Sequence, residues 1–213
     1  MTDIIIVCAG GYGLEVYTEI LGINAKAERE GKETVYNVLG FINDIPNALE
    51  GKHIEAKIIG SIQDWQPGYD EVYALGLSDP EGKKKVSSLL KSRGARFESI
   101  ISVYAHVGKD VIMGEGCVVT TSTIGSGVRL GSFVNVNGSM IYGGATIGDY
   151  STTTGFTVVE EATVGESVFI GSKAVISKDC VVGDGAKISA GSLVQSDVPK
   201  GALMFGMPAK QMN

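Results

Sequence analysis

The run Ile124-Gly-Ser-Gly-Val-Arg-Leu130-Gly-Ser-Phe-Val-Asn-Val136 decides the fold. Its aliphatics stand six residues apart, with Gly directly after the first two and Val four places on. The beat returns at Ile147, Thr153 and Val159. After one five-residue step it continues through Val164, Ile170, Ile176, Val182, Ile188 and Val194. A helix would space its apolar residues by three and four, and a half-buried strand by two. A period of six predicts a hexapeptide β-helix, in which three short strands and three corners make one triangular coil with the aliphatic inside. From about Val107 to Val198 this amounts to roughly five coils of ~18 residues. The rhythm slips between Val136 and Ile147, where eleven residues stand in place of twelve. Either a corner is one residue short, or a loop leaves the surface, and loops are where function collects.

Composition narrows the function classes. Gly numbers 30 of 213 residues, about twice the usual share, without the Pro excess of a disordered chain. A net charge of −6 disfavours a nucleic-acid partner, and Lys83-Lys84-Lys85 reads as a solvated helix start. Cys8, Cys117 and Cys180 are odd in number, far apart and set in apolar strands. They read as small core residues in a reducing compartment, with no metal set and no disulfide. No stretch reaches 18 apolar residues, and the start does not read as a signal peptide, so a cytoplasmic protein without membrane insertion is expected.

The first hundred residues follow another rule. Asp3 to Ala9 is a continuous apolar run, as in a strand buried on both faces of a parallel sheet. Gly10-Gly11-Tyr12-Gly13 and a helical stretch from Leu14 follow. Strand, glycine turn and helix bring backbone N–H groups to a phosphate, although the full dinucleotide fingerprint is missing and a plain tight turn fits as well. Asn37 to Asn43 predicts a second strand ending at Asp44, and Glu71 to Gly76 a third, followed by Ser78-Asp79-Pro80. Ser61 is an N-cap candidate, and Glu81 to Arg93 is amphipathic. The fold class is therefore α/β plus all-β. A small doubly wound, Rossmann-like domain (1–100) precedes a β-helix with a C-terminal tail (101–213).

Ile6-Val-Cys-Ala-Gly-Gly-Tyr-Gly13, Leu39-Gly-Phe-Ile-Asn-Asp-Ile-Pro46, the hexapeptide array, Val198-Pro-Lys-Gly201 and Gly206-Met-Pro-Ala-Lys210 together resemble one family. It is the hexapeptide-repeat sugar acyltransferases of the sialic-acid O-acetyltransferase and nucleotide-aminosugar N-acetyltransferase type. The likeness covers nearly the whole chain. It implies a left-handed β-helix, a homotrimer, acetyl-CoA or another short acyl-CoA bound between neighbouring prisms, and a nucleotide sugar across the glycine turn. The implied activity is acyl transfer to an amino or hydroxyl group of a sugar or nucleotide sugar in cell-surface polysaccharide or glycan biosynthesis.

By the same resemblance, Gly10, Gly11, Tyr12 and Gly13 face the sugar nucleotide's phosphates. Asn43 and Asp44 reach the nucleoside, and Ser78 lies at the neighbouring strand end. Thr152, Gly155, Gly171, Ala190, Gly191 and Lys210 line the coenzyme channel. The chain departs from the family at its histidines. The family's catalytic histidine falls at Gly143, its acidic or amide partner at Gly144, a further histidine at Thr152, and the glycine-turn histidine at Tyr12. Tyr142 is the titratable neighbour of the vacated place, and a phenol of pKa near 10 is a weak base at neutral pH. His53 and His106 are the remaining histidines, and His106 reads as a surface residue at the mouth of the first coil. The alternative function is a homologue that binds ligand or serves as a structural partner but has lost the chemistry.

Overall fold

The computed structural model describes residues 1–212. They divide into two compact units, one of Met1–Ser78 with Gly82–Val103, the other of Asp79–Glu81 with the chain from Tyr104 onward. The first contains β1 (Thr2–Val7), α1 (Gly11–Arg29), β2 (Tyr36–Ile42), β3 (Ile58–Gly60) and β4 (Val72–Leu75). Helix α2 (Pro80–Ser92) follows. The four strands form a parallel sheet in the order β3-β2-β1-β4. From β1 the chain winds outward to β2 and β3, then returns to β1's other side at β4. The order therefore reverses between β1 and β4, at the carboxyl ends where open α/β sheets hold ligands. Ile4, Ile5, Ile6 and Val7 are all buried, the two-sided burial that their unbroken apolar run required.

Two details differ from expectation. Ser61 opens no helix; its hydroxyl instead donates to Asp44 Oδ1 at 3.0 Å and accepts the Gln63 N–H at 3.1 Å. Lys83 is fully buried within α2, whereas Lys84 and Lys85 are exposed. The triplet is thus not one solvated face. Successive helical residues point about 100° apart, so three consecutive lysines cannot share a side.

The second unit is a left-handed parallel β-helix. One face stacks Ile112–Met113, Arg129–Leu130, Thr146–Ile147, Thr163–Val164 and Val181–Val182. The next includes Val118–Val119, Asn135–Val136, Thr152–Thr153, Phe169–Ile170, Lys187–Ile188 and Leu203–Phe205. The third stacks His106–Val107, Thr123–Ile124, Met140–Ile141, Val158–Val159, Val175–Ile176 and Leu193–Val194. Every aliphatic of the beat, from Ile124 to Val194, lies inside the prism.

The slip after Val136 is a short corner and no loop. Ile141 takes the missing inward place five residues on, and its strand pairs in register with those of the coils on either side. Serine and threonine also point inward, and each hydroxyl finds an acceptor. Ser151 Oγ donates to Gly165 O at 2.7 Å and Thr153 Oγ1 to Ser139 Oγ at 2.9 Å. Among the described residues no buried side-chain nitrogen or oxygen lacks a partner, which is what allows polar residues on an interior beat.

Candidate functional site

The first candidate site is the reversal point of the sheet. Helix α1 begins at Gly11 with Gly10 as its N-cap and no side-chain cap. Gly13 is dictated by packing: a Cβ there would lie 2.0 Å from the Cys8 carbonyl oxygen, and one on Gly76 would lie 2.6 Å from the Gly13 Cα. Gly10 and Gly11 have open space where their Cβ atoms would be. No contact inside the chain explains why those two are glycine. Asn43 Oδ1 accepts the Ala9 N–H at 3.0 Å, and its Nδ2 donates to Ile45 O at 2.8 Å, so Asn43 clamps the turn. Asp44 is exposed and accepts from Ser61 Oγ and from the Gln63 N–H at 3.1 Å. Burial alone would raise its pKa; hydrogen bonds from the Gln63 backbone, the Ser61 hydroxyl and the Gln63 amide outweigh it and hold the carboxyl below the usual value. Tyr12 and Ser78 are half-buried beside the turn and at the end of β4 respectively. The expected residues thus converge on one sheet edge.

The second candidate is a cleft of about 450 Å³ on the prism, lined by Thr154, Phe169, Gly171, Ser172, Lys187, Ser189, Ala190 and Leu203 among others. That lies within the size range of small-molecule sites. Gly171 and Ala190 meet here: a Cβ on Gly171 would fall 2.6 Å from the Ala190 N. Gly155 and Gly191 lie at the adjoining corners, tied to the cleft's coils through Lys173 N–H to Gly155 O and Gly191 N–H to Ser172 O. Lys210 sits on the tail strand Lys210–Gln211, opposite Phe205 and two residues along from the cleft wall at Leu203. Thr152 is a correction. Its side chain is fully buried, so the cleft is reached by Thr154 and not by the residue in the histidine's place. Sequence reasoning also missed Lys187 and Leu203, because an outward strand position carries no periodic signal.

The third place is the corner at Gly143. Tyr142 is 48% exposed and Gly143 and Gly144 form the turn after it. A Cβ on Gly143 would lie 2.8 Å from the Ser126 carbonyl oxygen, so any side chain there requires the corner to shift. A Cβ on Gly144 would meet Glu161 Cγ at 3.8 Å. Glu161 Oε2 pairs with Lys178 Nζ at 2.9 Å. The Glu161 hydrogen bond and charge, with Asp179 adding, push the Lys178 pKa up. The cleft and this corner lie at opposite ends of the face Met140–Val158–Val175–Leu193, so a single prism does not bring them together. His106 is exposed on the first strand of that same face.

Known proteins bear out the architecture. Residues 161–196 match the family model for the bacterial transferase hexapeptide (six repeats). A 2,3,4,5-tetrahydropyridine-2,6-dicarboxylate N-acetyltransferase of Staphylococcus aureus (strain JH9) is 49% identical over 45 residues, covering 21% of this chain and 19% of the relative. The aligned part thus spans about a fifth of that relative's length. Among solved structures, the acetyltransferase domain of PglB from Neisseria gonorrhoeae FA1090 superposes with a TM-score of 0.86 at 19% identity, over 100% of both chains. The two units share their fold with it from end to end. PerB from Caulobacter crescentus, solved with CoA and GDP-perosamine, gives 0.81 at 18% identity over 100% of this chain and 98% of its own. WeeI from Acinetobacter baumannii AYE gives 0.74 at 23% identity, over 100% of both.

Proposed function

We propose that this chain transfers an acetyl or related short acyl group from coenzyme A to a sugar carried on a nucleotide, in glycan or cell-surface polysaccharide biosynthesis. One observation carries the reading. Both candidate sites, a glycine turn at a sheet reversal and a cleft on a hexapeptide prism, occur in one chain that superposes along its length on PerB, solved with CoA and a nucleotide sugar. In this reading residues 1–100 hold the nucleotide sugar and 101–213 the coenzyme. Gly10 and Gly11 admit the phosphates to the uncapped N-terminus of α1, where backbone N–H groups and the helix dipole favour an anion. Gly13 keeps helix and strand close, Asn43 holds the turn, and Tyr12, Asp44 and Ser78 complete the rim. The coenzyme's pantetheine arm runs along Gly155, Gly171, Ala190 and Gly191, with Lys187 and Lys210 supplying positive charge for its phosphates.

The working form is a homotrimer in the cytoplasm. The Gly143 corner and the cleft flank a face with Met140 exposed and Val158, Val175 and Leu193 partly so. Such an apolar stripe is what a neighbouring copy covers, and three-fold packing sets the corner of one prism beside the cleft of the next.

The decisive experiment is calorimetry with acetyl-CoA alongside mass-spectrometric detection of acyl transfer to a panel of nucleotide aminosugars. Binding with transfer is the expected result. A second reading, a ligand-binding or structural partner without turnover, is favoured by Gly143, Gly144 and Thr152 standing in the histidine and partner places; binding without transfer would establish it.

A further inference from the structure

The acyltransfer reading leaves the proton of the acceptor without an owner, and the corner geometry supplies one. Ile141 pairs with Val159 and Ile147 with Val164, so one coil on Glu160 lies in line with Tyr142 and Glu161 faces Gly144, with Gly143 the extra residue of the corner. The two carboxylates differ in employment. Glu160 Oε2 accepts the Lys178 backbone N–H at 2.9 Å and is turned toward the next coil. Glu161 instead leaves its Cγ 3.8 Å from the place where a Gly144 side chain would begin, so the space beside Gly144 opens onto its side chain. Lys178 Nζ holds one carboxylate oxygen at 2.9 Å, and Glu161 O accepts the Asp179 N–H at 3.0 Å, which fixes the corner. A proton acceptor, held by a third group and lying beside an open place, is the arrangement of an oriented base.

We propose that Glu161, positioned by Lys178, takes the acceptor's proton, and that the acceptor is therefore an amine. This rests on the acyltransfer reading above. The neutral amine's lone pair forms the C–N bond at the thioester carbonyl carbon, and the C=O π pair moves to oxygen. The resulting ammonium passes one proton to the Glu161 carboxylate. The oxyanion collapses, the C–S bond breaks with its electron pair on sulfur, and the proton leaves Glu161 for the coenzyme thiolate. The products are an amide and coenzyme A. A carboxylate is basic enough to relieve an ammonium already formed in the intermediate. It is too weak to activate a hydroxyl before attack, so the Glu161 chemistry selects amino sugars over their hydroxyl counterparts.

The test uses the full chain with acetyl-CoA, nucleotide aminosugars and the matching nucleotide hydroxysugars. Glu161→Gln keeps the side chain's size and its exposed setting. It should lower kcat on the order of 10²-fold or more while the acetyl-CoA Kd stays unchanged. Lys178→Met should lower kcat less, and Glu160→Gln should leave it unchanged. Unaltered turnover in Glu161→Gln overturns the assignment, as does acylation of the hydroxysugars at a rate comparable to the amines. If the natural chain binds acetyl-CoA but acylates no amine, the acyltransfer reading fails and this inference fails with it; the variants separate that case from a base placed elsewhere.

Discussion

Glycines with the same letter have different causes here, and mutation should separate them. Gly13→Ala puts a methyl group 2.0 Å from the Cys8 carbonyl oxygen, against backbone that cannot rotate away. It should cost at least the ~1–3 kcal/mol of an overpacked site, read as a lower midpoint in urea. Gly10→Ala meets no atom within 4 Å at an ordinary φ of −76°, so stability should stay within about 0.5 kcal/mol. Its effect should appear as a smaller thermal shift with nucleotide diphosphate sugars. A second test concerns Cys8, whose thiol is pushed up to about 12 from 9.0 by burial and by the Asp44 charge. A neutral thiol reacts slowly, so Cys8 should resist alkylation at pH 8 in the folded chain and react readily after unfolding. The raised value also fixes a sign. The unfolded thiol ionises above pH 9 while the folded one holds its proton, so this group's contribution to stability declines as pH rises from about 9 to 12.

Among elements, the prism was the most legible because one coil repeats another. Each inward side chain meets the same environment 17 or 18 residues later, and the pattern averages over many copies. Ile147 is fully buried in that column, and Ile147→Ala should cost about 2–5 kcal/mol, measured by chemical denaturation with far-ultraviolet dichroism. The first unit was less legible. Its strands could be read from unbroken apolar runs, but the crossover from β2 to β3 has no helix, and Ser61, whose type suits a helix cap, serves Asp44 and Gln63 instead. A capping residue reports a local hydrogen-bonding preference, and only the neighbouring chain decides whether a helix follows it.

At the scale of the whole molecule, assembly is the property to test. The proposed function places the cleft of one copy beside the Gly143 corner of the next, so it stands or falls with a second copy. Light scattering at micromolar concentration should return three times the chain mass of 22.3 kDa. Val175→Glu, in the middle of the apolar face, should reduce that to one chain and abolish acetyl-CoA binding with it. A monomeric natural chain would remove both the trimer and the shared site.

From residues alone, the spacing of aliphatics established the prism, its interior column and the parallel sheet before it, since burial is a periodic demand that composition must meet at every turn. The same spacing also located the slip between Val136 and Ile147, and the structure put Ile141 in the missing inward place. Tertiary structure decided what stands beside what. It buried Lys83 and Thr152, gathered Phe169, Lys187 and Leu203 into one cleft, and set Glu161 over the gap at Gly144. The outward positions of the cleft and the corner face no common core, so nothing in their order along the chain constrains them. Their partners are chosen by the register between coils, 17 or 18 residues away.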